Sequence, residues 1–215
     1  MKYRLILFDV DSTLIKQEVI DLLADKSGHG REVQQITARA MKGEIDFAQA
    51  LSKRVSLLEG LPESVFDEVI GQISFAEGFD ELFSYLRKNG FLVGAVSGGF
   101  HNVLNKLFAQ LQLDFLKANV LEVVDGRLTG KITAAPVDRM AKARALREFA
   151  ALHNIELENT VAVGDGANDL DMIEIAGFGV SYMGKEILRQ KADLHIEKAG
   201  LNALIPYLNL SLIHI

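Results

Sequence analysis

Residues Tyr3 to Phe8 form an apolar, β-prone run, interrupted only by Arg4, that leads into two aspartates one residue apart, Asp9 and Asp11. Such a run predicts a strand buried on both faces of a parallel sheet. Parallel strands need crossover connections to cover them, so this one feature points the chain toward an α/β layout. It also puts Asp9 and Asp11 at the strand's carboxyl end, where open α/β sheets hold their ligands. Two carboxylates crowded there repel each other unless a cation or a shared proton intervenes.

The pattern then turns helical for a long stretch. Val19, Ile20, Leu22 and Leu23 make one apolar stripe, and Val33, Ile36, Ala40 and Met41 a second. Phe47, Ala50, Leu51, Val55 and Leu58 make a third, with Asp46 placed as its N-cap. A fourth helix is predicted from Leu61 to Ile73, with Pro62 at a helix-start position. Roughly sixty residues of helix is too much for one crossover. The stretch reads as an inserted four-helix bundle over the strand ends. The expected domains are therefore a catalytic α/β core from residues 1–13 and 75–215 and a helical cap from residues 14–74.

From Glu77 strand and helix alternate. A helix from Asp80 to Lys88 stops at Asn89-Gly90, and a strand from Phe91 to Val96 leads into Ser97-Gly98-Gly99 and a helix from Phe100 to Gln110. Asp125-Gly126 marks a hairpin between Val120–Val124 and Leu128–Ile132. A helix from Met140 to Leu152 precedes a strand from Thr160 to Val163, which runs into Gly164-Asp165-Gly166-Ala167-Asn168-Asp169. Further strands are predicted at Gly179–Tyr182 and Leu194–Ile196. The fold class is a doubly wound, Rossmann-like parallel-sheet core with a helical insert.

Composition narrows the chemistry. The net charge is −6 without a lysine or arginine run, which argues against nucleic acid or an anionic membrane as partner. There is no cysteine, so thiol nucleophiles, disulfides and thiolate metal sites are excluded. No segment approaches the ~20 apolar residues of a membrane span. The first strand starts at once, with no signal peptide pattern, and a cytoplasmic protein is expected. The apolar tail Leu210–Ile215 reads either as an edge element or as a cloning remnant.

Three strand ends carry polar groups toward one face of the sheet: Asp9 with Asp11, Ser97 with Gly98 and Gly99, and Asp165 with Asn168 and Asp169. Oxygen-only ligation by aspartates suits a hard cation, Mg²⁺. Ser-Gly-Gly opening a helix reads as an anion seat. Lys142 falls in the first turn of its helix, where the dipole disfavours a cation, so its charge points to a ligand. Each has a plain structural reading too: a turn, a tight turn, a solvated surface lysine.

These motifs, in this order, resemble the haloacid dehalogenase superfamily of phosphatases. Asp9-Val10-Asp11-Ser12-Thr13 is similar to that family's Asp-x-Asp-x-Thr motif, and Ser97 and Lys142 match its second and third motifs. Gly164-Asp165-Gly166-Ala167-Asn168-Asp169 matches the fourth, and the helical insert sits where the family's small cap sits. The resemblance implies that Asp9 is the nucleophile, forming an aspartyl-phosphate, and that Asp11 is the general acid and base. It implies a Mg²⁺ cofactor on Asp9, Asp165 and the Asp11 carbonyl, with Asp169 supporting the metal and orienting Lys142. Ser97, Gly98, Lys142 and Asn168 would hold the phosphate.

Read from spacing alone, Glu18 and Arg54 are ordinary exposed helix charges. In the branch of the family that hydrolyses O-phospho-L-serine, the last step of serine biosynthesis, a glutamate and an arginine in matching places hold the ammonium and carboxylate. Met41 and Phe47 fit the same pocket. That makes O-phosphoserine the expected small-molecule substrate, for a monomer or homodimer. Phosphatases or phosphotransferases acting on phosphohomoserine or phosphothreonine are the alternative. A non-catalytic relative would lack Asp9 or Asp11, and a receiver domain would lack the long insert.

Overall fold

The computed structural model describes residues 2–41, 44–198 and 200–208, apart from the side chain of Met41. The apolar tail Leu210–Ile215 and the pocket placement expected for Met41 thus lie outside the described residues. Six parallel strands form one sheet: β1 (Leu5–Asp9), β2 (Leu92–Phe100), β3 (Phe115–Asn119), β6 (Thr160–Gly164), β7 (Phe178–Tyr182) and β8 (Leu194–Ile196). The order across it is β3-β2-β1-β6-β7-β8. Strands β4 (Leu121–Val124) and β5 (Arg127–Ile132) form a separate antiparallel hairpin. Its turn residues Asp125 and Gly126 have φ of 51° and 72°, as the Asp-Gly pair predicts.

β1 lies between β2 and β6, and all five of its residues are buried, as the apolar run requires. One face of the sheet is covered by α7 (Arg139–Leu152) and α8 (Leu170–Ile175), through Leu5, Leu7, Leu146, Phe149 and Ile173. The other face packs on α5 (Phe79–Lys88) and α6 (His101–Leu107). Phe8, Phe83 and Phe79 stack there, at centroid separations of 5.9 and 4.1 Å. Beyond β7 comes α9 (Glu186–Arg189), and the described residues end with α10 (Ile205–Leu208).

Four helices stand between β1 and α5: α1 (Val19–Ser27), α2 (Gly30–Met41), α3 (Phe47–Ser56) and α4 (Val65–Ile70). Asp46 caps α3 by accepting from the Gln49 N–H at 2.8 Å. Val19, Leu23, Val33, Leu51, Val55 and Phe66 are buried in the same apolar cluster as Phe8 and Phe83. The insert is thus seated on the core through a continuous apolar contact.

Three local expectations fail. The fourth helix starts at Val65 rather than Leu61, because Pro62 pairs with Arg127 and the Glu63 N–H bonds to the Gly126 carbonyl at 2.8 Å. The hairpin draws this backbone out of helical geometry. Strand β3 has no counterpart in the pattern reading. It is an edge strand with Phe115, Leu116 and Lys117 only half buried, so it lacks an apolar run. Ser97-Gly98-Gly99 belongs to β2 instead of opening a helix, and the β2–β3 register shifts between Val96 and Phe100. A bulge there bends the strand end.

Candidate active site

The sheet order makes the carboxyl ends of β2, β1 and β6 neighbours, so Ser97, Asp9 and Asp165 meet without any loop having to travel. Beyond β1 the chain turns sharply: Ser12 has φ of 60°, and the Leu14 N–H bonds back to the Val10 carbonyl at 2.9 Å. This turn leaves Asp11 between two elements. Its Oδ1 accepts from the Val19 N–H at 2.9 Å and its Oδ2 from the Ser97 hydroxyl at 2.8 Å. The Gly99 N–H donates to Ser97 Oγ at 2.7 Å. A Cβ on Gly99 would fall 2.8 Å from Asp11 Oδ2, so the close approach requires glycine.

Lys142 is fully buried on α7, whose N-cap Asp138 accepts from the Ala141 N–H at 2.7 Å. Its ammonium donates to Asp9 Oδ1 and, at 2.6 Å, to Asp169 Oδ1. The other oxygen of Asp169 accepts from the backbone N–H groups of Asp165 and Gly166 at 3.1 and 2.9 Å. Asp169 thereby fixes both the lysine and the loop that carries Asp165. Asn119 was not singled out by the sequence. It donates to the Gly98 carbonyl at 2.7 Å and accepts from the Val137 N–H at 2.8 Å, pinning the β2 bulge. A polar residue ending an unrecognised strand left no signal.

Carboxylate oxygens of Asp9, Asp165 and Asp169 lie within 4.8 Å of one another. Burial pushes the Asp9 carboxyl well above its ordinary range, and Asp169 adds to the rise while Lys142 opposes it. Burial, then Asp169, raise Asp165 to about 7. Burial, then the Glu18 charge, raise Asp11 to about 6. Burial would lower the Lys142 pKa, but Asp169 and Asp9 outweigh it and hold the ammonium charged. The cluster carries more negative charge than one lysine neutralises.

A cavity of about 380 Å³ opens between the insert and the strand ends. Asp9, Asp11, Gly98, Asp165 and Asn168 line it from the core, and Glu18, Phe47 and Arg54 from the insert. Ser97, Lys142 and Asp169 are fully buried and are absent from the lining. Glu18 accepts from the Ser12 hydroxyl at 2.8 Å. The Arg54 guanidinium bonds only to the Ala50 carbonyl and the Thr37 hydroxyl, each at 3.3 Å, with no carboxylate partner among the described residues. Burial lowers its pKa, against the pull of Glu18 and Asp21. Asp21, Thr37 and Lys185 also line the cavity. Asp21 and Thr37 were hidden among solvated-looking helix positions, and Lys185 in a loop with no motif.

Three aspartates converge beyond the ends of central parallel strands, two of them buried, with a lysine beneath them and a helical insert above. The chain belongs to the haloacid dehalogenase-like hydrolases, whose family model matches residues 6–174. It is 47% identical to the phosphoserine phosphatase of Streptococcus thermophilus over 205 residues, 95% of each chain. It is 48% identical to the phosphoserine phosphatase of Streptomyces coelicolor over 97% of this chain, and spans about half (51%) of that longer protein. Among solved structures, a phospho-aspartyl intermediate analogue of phosphoserine phosphatase superposes with a TM-score of 0.89 at 43% identity, covering 97% of this chain and all of that one. No described helix is long and apolar enough to cross a membrane.

Proposed function

We propose that this chain hydrolyses O-phospho-L-serine to L-serine and phosphate, with Mg²⁺ as cofactor, through an aspartyl-phosphate on Asp9. The observation that carries the reading is the two-sided cavity. Its floor offers Asp9 and Asp11, and its insert wall offers a guanidinium and a carboxylate, Arg54 and Glu18. An amino-acid phosphate ester presents the complements of both walls. The names of its relatives support the same substrate. Residues 14–74 act as a cap over a core of residues 1–13 and 75–215.

The donor set fits a hard divalent cation. Three carboxylates converge, with no imidazole or thiolate in the group, and Lys142 supplies only one positive charge. Asp9 and Asp165 would hold the ion together with the Asp11 carbonyl, supported by Asp169. Bound there, Mg²⁺ supplies the positive charge that lets a dianionic ester approach a carboxylate.

Asp9 attacks phosphorus in line, and the bond to the serine oxygen breaks. Asp11, held by Val19 and Ser97, has its pKa raised to about 6 by burial and then Glu18, which suits a group that must both give and take a proton. It protonates the departing oxygen and then takes a proton from the water that cleaves the aspartyl-phosphate. Gly98 and Asn168 on the lining, with Ser97 and Lys142 just behind it, hold the phosphoryl oxygens, and Ser97 and Lys142 also orient Asp11 and Asp9. Closure of the insert excludes bulk water.

Phosphate release should be measured across phosphoserine, phosphothreonine, phosphohomoserine, phosphoethanolamine and sugar phosphates, with Mg²⁺ and with excess chelator. Phosphoserine should lead by at least tenfold, and chelation should abolish turnover. Another leading ester would replace the substrate. Full activity in chelator would remove the metal.

A further inference from the structure

The cavity has a charge problem. Five carboxylates line it, those of Asp9, Asp11, Glu18, Asp21 and Asp165, against two described cations, Arg54 and Lys185, so that even a bound Mg²⁺ would leave the lining negative. Lys142 is fully buried beneath the lining, and its ammonium is shared between Asp9 and Asp169. Arg54 stands on the insert side, where an amino-acid carboxylate would meet it. On the core side, beside the aspartates, Lys185 is the one lining cation among the described residues.

Its placement is built in. The Lys185 N–H donates to the Asp165 carbonyl at 2.9 Å, tying its backbone to the loop that bears the acidic cluster. The preceding residues leave little freedom. Met183 has φ of 49°, and a Cβ on Gly184 would fall 2.3 Å from Ser181 Oγ and 3.0 Å from the Asp165 carbonyl oxygen. The side chain itself is exposed at the rim and makes no hydrogen bond or ion pair among the described residues. Lys185 nevertheless bears on the site, since it is among the charges that lower the Asp165 pKa. A cation held by its backbone at an acidic mouth, with its ammonium uncommitted, is suited to a mobile anion.

We propose that Lys185 is a phosphate-capturing residue: its ammonium draws the dianionic phosphoryl group of the ester past the carboxylates, and afterwards holds free phosphate at the same rim. This rests on the phosphatase reading above. A charge in such a position acts on capture and release, and its effect is screened by salt.

The test compares wild type, Lys185→Gln and Lys185→Arg with phosphoserine as substrate and inorganic phosphate as inhibitor, each at about 20 and 500 mM added salt with saturating Mg²⁺. In Lys185→Gln at low salt, kcat/KM should fall about five- to twentyfold, on the scale of lost electrostatic steering. That fall should exceed the fall in kcat, and the phosphate inhibition constant should rise by a similar factor. At high salt the gap to wild type should shrink to about twofold. Lys185→Arg should stay within about threefold of wild type throughout. A Lys185→Gln enzyme with wild-type salt dependence and phosphate inhibition overturns the proposal. So does an equal loss in both variants accompanied by a lowered melting temperature, which would make Lys185 a loop anchor. Failure of the phosphatase reading looks different: wild type itself would then release no phosphate from phosphoserine.

Discussion

Lys142 and Asp169 form a 2.6 Å ion pair in which neither side chain is exposed to solvent. The second oxygen of Asp169 is committed to two backbone N–H groups, so both oxygens of this carboxylate are engaged. Asp169→Asn offers one acceptor oxygen where two are needed. Whichever way the amide turns, its NH₂ group faces either the ammonium or the two N–H donors. Unfolding in urea should show a loss of ~2–4 kcal/mol, the scale of leaving a buried charged group short of a partner. Unchanged stability would show that the pair contributes nothing to the fold.

Gly99→Ala addresses the strand junction. The added methyl would meet Asp11 Oδ2 at 2.8 Å and Ser97 Oγ at 2.9 Å, and both are locked by their mutual hydrogen bond. Neither is the free end of a flexible chain, so the junction has to open. A destabilisation of ~1–3 kcal/mol is expected from such overpacking. Phosphate release should fall at least tenfold, because Asp11 is displaced. A variant with normal turnover would show that the Ser97–Asp11 contact does not position the acid.

The raised carboxyl groups make stability depend on pH when metal is removed. Asp11 and Asp165 move from 3.8 to about 6 and about 7, and Asp9 moves in the same direction. Between pH 4 and 7 the folded chain therefore binds more protons at these groups than the unfolded chain. Their contribution is complete below the unfolded value and is lost as pH rises through the folded values. In chelator, Asp165→Asn should melt several degrees above wild type at pH 7.5 and close to it at pH 4.5, where Asp165 is already neutral. Mg²⁺ should narrow the gap at pH 7.5 by stabilising the ionised wild type. Parallel melting curves at both pH values would contradict the assigned shift.

The sequence carried the site better than it carried the frame around it. Asp9, Asp11, Asp165 and Asp169 were legible because each follows a buried apolar strand, and burial on both faces leaves a long, unmistakable run. Strand β3 was not, since an edge strand with Lys117 in its middle needs no such run. The fourth helix is shorter than its apolar stripe suggests because the residues before it answer to the β4–β5 hairpin, a contact between residues more than sixty positions apart. Ser97-Gly98-Gly99 reads in the sequence as a helix entry yet is strand, because a bulged strand and a turn use the same glycines. Asn119 and Lys185 act through backbone partners brought together only by the fold, and local sequence gives no sign of that.

Arg54 offers the sharpest test of substrate choice. Its guanidinium lines the cavity and is satisfied only by two neutral oxygens, those of Ala50 and Thr37. Burial already disfavours its charged form. A carboxylate arriving there would meet a desolvated partner that needs no ion pair broken first. Phosphoserine brings such a carboxylate, and phosphoethanolamine has the same amine and phosphate without it. Leaving this half-buried guanidinium without its partner once the site closes costs ~2–5 kcal/mol, roughly thirty- to several-thousand-fold in specificity. Wild type should therefore prefer phosphoserine by a factor in that range. Arg54→Ala should lose most of its kcat/KM for phosphoserine and little for phosphoethanolamine, so the two substrates converge. The variant should still fold, because the side chain's only bonds are two long contacts within the insert. If both substrates lose the same factor, Arg54 shapes the insert rather than reading the carboxylate, and the substrate is then defined only as a small phosphate ester.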